Sequence, residues 1–258
     1  LALNKKAKAK GKPIAVHIKV DTGMGRIGVL YPQAEAFIKK TYSLPFIRIE
    51  GVFTHLASAD VDKCFTRQQI ASCNGLLTAL HECGIHVPLV HAANSMGVIA
   101  YRRSHFTMVR PGLALYGLYP RKPLALRLKP VLSLKSRVIY AKRVDAGFSI
   151  SYGRTYRTAR KTTIVTLPIG YGDGYPRNLS NVGPVLIHGK RFIISGRVCM
   201  DQIMVDVGNE NVKIGDEVVL IGSQGGKKIS TEELAALCST IPYEIVCGLG
   251  SRIPRVYL

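Results

Sequence analysis

The chain changes its hydrophobic period once, and that change limits the folds open to it. Up to about residue 127, strand and helix patterns alternate. Val16, Ile18 and Val20 alternate with His17, Lys19 and Asp21, which predicts a strand over 14–20. Residues 1–11 read as the end of a helix, 31–41 as a helix and 47–54 as a strand ending at Thr54-His55. Ile70, Cys73, Leu76, Leu77 and Leu80 recur at helical spacing within 65–83, a short strand follows over 87–91, and a short helix near 95–103. This order predicts a parallel sheet with right-handed crossovers. At about 30 residues per βα unit, 127 residues hold about four units, half of an eight-stranded barrel. After Pro130 the segments 131–140, 163–169, 184–188, 192–195, 203–207 and 216–221 are short and β-branched, and turn residues separate them. One late helix is expected near 231–239, after Ser230-Thr231-Glu232-Glu233. The expected architecture is therefore a partial α/β (TIM-like) barrel over 1–127 and a mainly-β domain over 128–258.

Composition excludes several classes. Nearly half of the 258 residues are apolar, which argues against disorder. No uninterrupted apolar run reaches the roughly 18 residues of a membrane span, and Leu1 to Lys12 is basic without the apolar stretch of a secretory signal. Six cysteines without a C-x-x-C pair read as reduced thiols of a cytoplasmic protein, and no metal site is expected. The net charge of +20 is spread, with 18 basic and 6 acidic residues up to Arg127 and 18 and 10 beyond. Charge of this kind permits non-specific binding to nucleic acid or acidic lipid, but no nucleic-acid motif accompanies it.

The expected strands of the first half hand over to loops with polar side chains: Arg26, His55-Ser58-Asp60, His91-Asn94-Ser95 and Arg110-Pro111-Gly112. Loops at the C-terminal ends of parallel strands are where α/β folds place chemistry. Gly23, Gly25 and Gly28 match the G-x-G-x-x-G spacing, but the acidic residue of a dinucleotide site is missing at the right distance. The second half adds Ser151-Tyr152-Gly153, a run from Pro168 to Tyr175 rich in glycine and tyrosine, Gly196-Arg197-Val198-Cys199-Met200-Asp201-Gln202, and Ile241-Pro242-Tyr243-Glu244.

In order, the strings K-V-D-T-G-M-G-R-I-G, G-V-F-T-H-L-A-S-A-D, H-A-A-N-S, V-R-P-G-L-A-L-Y-G, S-Y-G-R-T-Y, P-I-G-Y-G-D-G and G-R-V-C-M-D-Q resemble those of alanine racemase. That family is a pyridoxal-phosphate (PLP) enzyme of fold type III, with an N-terminal α/β barrel and a C-terminal β domain. The resemblance runs from about Val16 to Tyr257. It implies an isomerase that interconverts L- and D-alanine by proton transfer between two bases, supplying D-alanine for cell-wall peptidoglycan in the cytoplasm. It implies Tyr152 as the catalytic tyrosine, donated by the partner subunit of a homodimer. A phenol with an ordinary pKa of about 10 is a poor base at neutral pH, so such a residue needs positive charge or hydrogen bonds around it. Arg110 is implied to bond the pyridine nitrogen, with His55 in the same network. Ser95, Gly112, Leu113 and Tyr243 are implied to hold the phosphate. Arg26 is implied to lie at the cofactor's phenolic oxygen and near the substrate. Lys19 matches a lysine carbamylated in many members, a possible N-carboxylysine that would pair with Arg26. Met200 and Asp201 are implied at the substrate carboxylate, and Tyr171 at the entrance.

One element of the family pattern is missing. The family's PLP lysine lies in a string resembling V-K-A-N-A-Y-G, and no lysine of this chain sits in one. The resemblance begins partway through the family's barrel, in agreement with the count of about four units. The expectation is an incomplete copy of a racemase, inactive alone, because two-base racemisation needs an acid/base on each face of the reacting carbon. The alternative is a non-catalytic, racemase-like protein that binds an amino acid or PLP. A cationic scaffold is a third reading, resting on charge alone.

Overall fold

The alternating run forms β1 (Ile14–Asp21) of a parallel sheet, in a computed structural model that describes residues 1–120 and 126–258. The chain divides into two units, one built on Leu1–Leu115 and the other on Tyr116–Tyr119 and Arg127–Leu258.

In the first unit, β1 is joined by β2 (Val29–Leu30), β3 (Ile47–Phe53) and β4 (Leu89–His91). The order is β2-β1-β3-β4 and every pairing is parallel. The helices are α1 (Ala2–Ala9), α2 (Tyr31–Tyr42), α3 (Lys63–Glu82) and α4 (Ser95–Ala100). Ile18, Val20, Ile49 and Val52 pack against Ala34 and Ile38 of α2 and Leu76 and Leu80 of α3. α3 starts at an aspartate cap, Asp62, whose carboxylate accepts from Phe65 N–H. α4 starts at Asn94, which accepts from Gly97 N–H.

The β1–β3 register shifts once: Val16 faces Ile49, but His17 faces Gly51. Strict alternation would put Ile49 and Val52 on opposite faces, yet both lie in the core under the helices. Glu50 is the extra residue of this bulge. The bulge leaves Glu50, Gly51 and Phe53 to the other face of the sheet, beside His17 and His91.

The second unit is antiparallel throughout. β10 (Pro184–Ile187) lies between β11 (Lys190–Ile193) and β13 (Glu217–Gln224), and β13 also pairs β14 (Lys227–Ile229) and β5 (Leu134–Arg137). A second sheet runs β12 (Ile203–Gly208), β9 (Thr162–Leu167), β6 (Tyr140–Val144), and β7 (Ser149–Ile150) pairs β8 (Tyr156–Arg157). Val165, Leu167, Leu186, Ile187 and Val205 are fully buried in their shared core. Truncating such a residue to alanine costs about 2–5 kcal/mol. The stretch 131–140, expected as one strand, is two. Val138 N–H bonds Asp216 O beside the first sheet, while Ile139 N–H bonds Thr166 O in the second. The chain crosses between sheets there, which a continuous apolar run conceals. The late helix is α5 (Thr231–Leu237), capped by Ser230, and a further helix, α6 (Pro242–Gly248), follows with its proline in the first turn. Among the described residues no helix is long and apolar enough to cross a membrane.

Candidate active site

At the C-terminal end of β1, Asp21 organises the turn that carries Arg26. Its carboxylate accepts from the N–H groups of Gly23, Met24 and Gly25 at 2.8–3.2 Å. The backbone bonds of Gly23 and Gly25 hold its pKa below the usual carboxylate range. Gly28, at φ +120°, closes the turn against β1, where a Cβ would sit 2.8 Å from Lys19 Cγ. Gln69, buried on α3, ties two strand ends together. Its amide donates to Thr22 Oγ1 and His55 O (both 3.1 Å) and accepts from Ala57 N–H (2.9 Å).

Arg110 is the centre of this end of the sheet. Its Nη1 donates to His91 Nδ1 (2.6 Å) and His91 O (3.4 Å), and its Nη2 to Thr54 O (3.0 Å) and His55 Nδ1 (3.2 Å). The guanidinium also lies 5.5 Å from the Phe53 ring centroid, and Lys19 Nζ lies 5.8 Å from the same ring. Burial and the Arg110 charge push His55 down. Burial, followed by Arg110 and His17, pushes His91 down to about 4. Lys19 is lowered chiefly by burial, with Arg26 and Arg110 in the same direction and Asp21 against them. Both histidines are thus neutral acceptors at neutral pH, and the arginine holds the charge. Among the described residues its Nε–H has no acceptor. A fixed cation with one N–H to spare suits an uncharged aromatic nitrogen, since arginine donates and does not accept. That fits the ring nitrogen of PLP.

The structure also joins Ser95 to Gly112. The buried Ser95 Oγ accepts from Gly112 N–H (2.9 Å) and Ala114 N–H (3.2 Å), which leaves the hydroxyl proton to donate outward. Leu113 is buried beside it. A hydroxyl fixed in this way fits a phosphate oxygen.

In the β unit, Tyr152, Met200 and Asp201 line one cavity of about 610 Å³, with Ser151, Cys199, Gln202 and Met204. Tyr152 is 71% exposed and Met200 52%, so both side chains project from the unit. Ser151 holds φ +63°, an unfavourable angle for serine. Its hydroxyl donates to Arg197 O (2.7 Å). Tyr171 sits on the adjoining loop: its N–H bonds Cys199 O (3.0 Å) and Gly172 N–H bonds Met200 O (2.8 Å). Arg252 spans the two loops, donating to Asp201 Oδ1 (2.7 Å) and lying 3.4 Å from Asp173 Oδ1. Tyr243 stands on α6, half exposed, and is not among the residues that line this cavity.

Sequence reasoning missed four participants. His17 reads as the wet face of a strand, His91 as one more polar loop residue, Gln69 as part of a helical stripe and Arg252 as one of many cations. The usable signals are a glutamine within the apolar stripe of α3 and a glycine, Gly51, in the middle of a strand.

Two family models cover almost the whole chain: the alanine racemase N-terminal domain over residues 1–120 and the alanine racemase C-terminal domain over 131–257. An alanine racemase of Halothermothrix orenii is 51% identical over all of this chain and 69% of its own length. One of Symbiobacterium thermophilum is 48% identical over 99% of this chain and 69% of its own length. Among solved structures, the alanine racemase of D-cycloserine-producing Streptomyces lavendulae superposes with a TM-score of 0.93 at 34% identity, covering 100% of this chain and 69% of that one. The Bacillus anthracis enzyme with bound L-Ala-P gives 0.89 at 39% identity, covering 99% and 68%. The Bartonella henselae enzyme, with covalently bound pyridoxal phosphate, gives 0.88 at 32% identity, covering 100% and 70%. The chain belongs to the alanine racemase family of PLP-dependent isomerases.

Proposed function

We propose that this chain carries the tyrosine side of an alanine racemase site, in a homodimer whose subunits share their sites. PLP, when bound, supplies the electron-accepting ring that acidifies the amino acid's Cα–H. The observation that carries the reading is Arg110, a cation fixed by neutral partners with its Nε–H unspent. Because arginine keeps its proton, a ring nitrogen bonded to it would stay unprotonated. A weaker electron sink favours quick return of the proton to Cα, which suits racemisation. Ser95, Gly112 and Leu113 would hold the phosphate, with Tyr243 as a further expected contributor, and Arg26 would serve the phenolic oxygen. Lys19, as a carbamate, would meet Arg26 as an anion and not as a second cation. Tyr152 moves the proton on one face of Cα. Its exposure suits delivery into a partner's site, with Met200 and Asp201 at the substrate carboxylate and Tyr171 at the entrance.

The base on the other face is a lysine in a V-K-A-N-A-Y-G string, which this sequence does not contain. We therefore propose that the chain as given does not racemise alanine, and that an in-frame N-terminal segment of the family bearing that string restores turnover. The product would be D-alanine for cell-wall synthesis in the cytoplasm. The test assays L- to D-alanine conversion by the chain alone, the fusion, and the fusion with Tyr152→Phe. Turnover by the fusion alone, lowered about 100-fold or more in the tyrosine variant, supports the reading. Turnover by the chain alone overturns the incompleteness. A folded fusion that binds PLP and alanine without turnover overturns the racemase reading.

A further inference from the structure

We propose that His17 acts as a positioning residue for Arg110, through a hydrogen-bond relay across β3 that fixes the proton positions of His91, and that the nearby Glu50 carboxylate biases the His17 ring by its charge. The proposal rests on Arg110 facing the cofactor for its purpose. Its test needs no cofactor, so the two can fail separately.

Hydrogen-bond chemistry sets the direction of the relay. Arg110 Nη1 can donate and cannot accept, so His91 Nδ1 must offer its lone pair at 2.6 Å. A neutral His91 then carries its proton on Nε2. That nitrogen lies 2.9 Å from His17 Nδ1, which must accept. His17 in turn carries its proton on Nε2, 3.6 Å from Glu50 Oε2. The carboxylate attracts that proton and opposes the reverse arrangement. Every N–H in the row points away from Arg110, and the guanidinium meets a lone pair.

The backbone is shaped for this contact. β1 and β4 are not neighbours, because β3 runs between them. The His17 ring crosses β3 over Gly51, where a Cβ would lie 2.3 Å from His17 Nδ1. The bulge that brings Gly51 opposite His17 also puts Glu50 on the same face. Phe53 stacks on His91, with centroids 4.7 Å apart and planes at 13°, and holds the ring in the plane the relay needs. The charged groups around the row are Arg48, which lies 3.4 Å from Glu50, and Arg110, with Lys19 beyond Phe53. None of them offers His91 Nδ1 an alternative acceptor.

The test is NMR of the histidine ring nitrogens and the arginine Nη groups in the chain itself at pH 7. The expected result is His91 and His17 both protonated at Nε2, with the Arg110 Nη protons resolved individually by slow rotation. His17→Gln keeps an acceptor for His91 and should retain those separate signals. His17→Leu removes the acceptor and should collapse them to an average, with Arg110 Nη rotation at least 10-fold faster. Glu50→Gln, a change at a partly exposed side chain, guards against loss of folding; it should shift the His17 Nε2–H resonance and leave His91 protonated at Nε2. A proton on His91 Nδ1, a charged His91 at pH 7, or unchanged Arg110 rotation in folded His17→Leu overturns the proposal.

Discussion

Around Arg110, side chains and strand-end carbonyls make every contact that aims the guanidinium. The loops that present Tyr171 and Met200 are joined main chain to main chain: Tyr171 N–H to Cys199 O, Gly172 N–H to Met200 O, and Gly250 N–H to Asp173 O. The first arrangement is electrostatic and can be altered in steps, one acceptor or one charge at a time. The second depends on backbones closer than a side chain allows. A Cβ on Gly170 would lie 2.2 Å from Cys199 O, and one on Gly174 1.8 Å from Gly248 O. The two units therefore differ in what breaks them. The surroundings of Arg110 are most sensitive to removal of a polar group, and the loops of Tyr171 and Met200 to addition of a methyl.

The largest expected effect follows from that contrast. Gly174 holds φ +92°, so Gly174→Ala combines an unfavourable angle with a clash against backbone that has no rotamer to yield. The cost should exceed about 4 kcal/mol, or a melting temperature lower by about 10 °C. Thermal melting of the purified variant checks it. A melt within 2 °C of the parent would show that the loop yields easily and would remove the distinction between the units. Next is Arg110→Leu, which leaves His91 Nδ1, His55 Nδ1 and Thr54 O without their donor. The cost should be about 2–3 kcal/mol. His91 should also titrate above its parent value of about 4, because one of the causes of its depression is gone. Histidine NMR titration reads this directly.

Much of the α/β site was legible in the sequence because its residues stand in short strings at strand ends. Arg110, Ser95 and His55 could be placed at the mouth of a parallel sheet from strand order alone. The relay behind Arg110 could not. Its geometry depends on a one-residue bulge, and a bulge leaves no mark in a period-2 pattern until the pairing register is known. His17 reads as solvent-facing, and it is exposed, but the pattern does not show that its ring also reaches His91 two strands away. The break of 131–140 at Val138 was hidden for a similar reason, since residues on both sides are apolar and β-branched and only the partner strand changes. In the β unit the tyrosine and the G-R-V-C-M-D-Q string were legible. Arg252, which ties their loops, was one of 36 basic residues with nothing local to distinguish it.

Acid should act on the side-chain network before it reaches the backbone-held loops. His91 is depressed to about 4 and His55 is depressed as well, both chiefly by burial. The unfolded chain takes up these protons near pH 6.5 and the folded chain only at lower pH. Stability is therefore fully present above about 6.5 and is lost as pH falls toward 4. The loss should be on the order of 2 kcal/mol across that window. Amide exchange in β4 should rise more steeply on acidification than exchange in β9. Equal slopes in the two strands would contradict the separation drawn between the units. His91→Gln should flatten the β4 slope.

The smallest expected effect concerns the turn within the α/β unit that borrows from both designs. Asp21 is a side chain, but its partners are the backbone N–H groups of Gly23, Met24 and Gly25. Gly23 holds φ +127°, an angle that other residues rarely adopt, so a substitute there is strained. Asp21→Ala removes the acceptor and leaves three donors to water on an accessible surface. The cost should be about 1 kcal/mol and confined to the turn. Amide exchange at Gly23, Met24 and Gly25 should accelerate roughly five-fold, with β4 unchanged. Lys19 should fall further below its ordinary pKa, because Asp21 is the charge that opposes the lowering by burial, Arg26 and Arg110. If β4 also loses protection, the turn and the Arg110 network form one cooperative element, and the polar end of this unit is as indivisible as the glycine loops of the other.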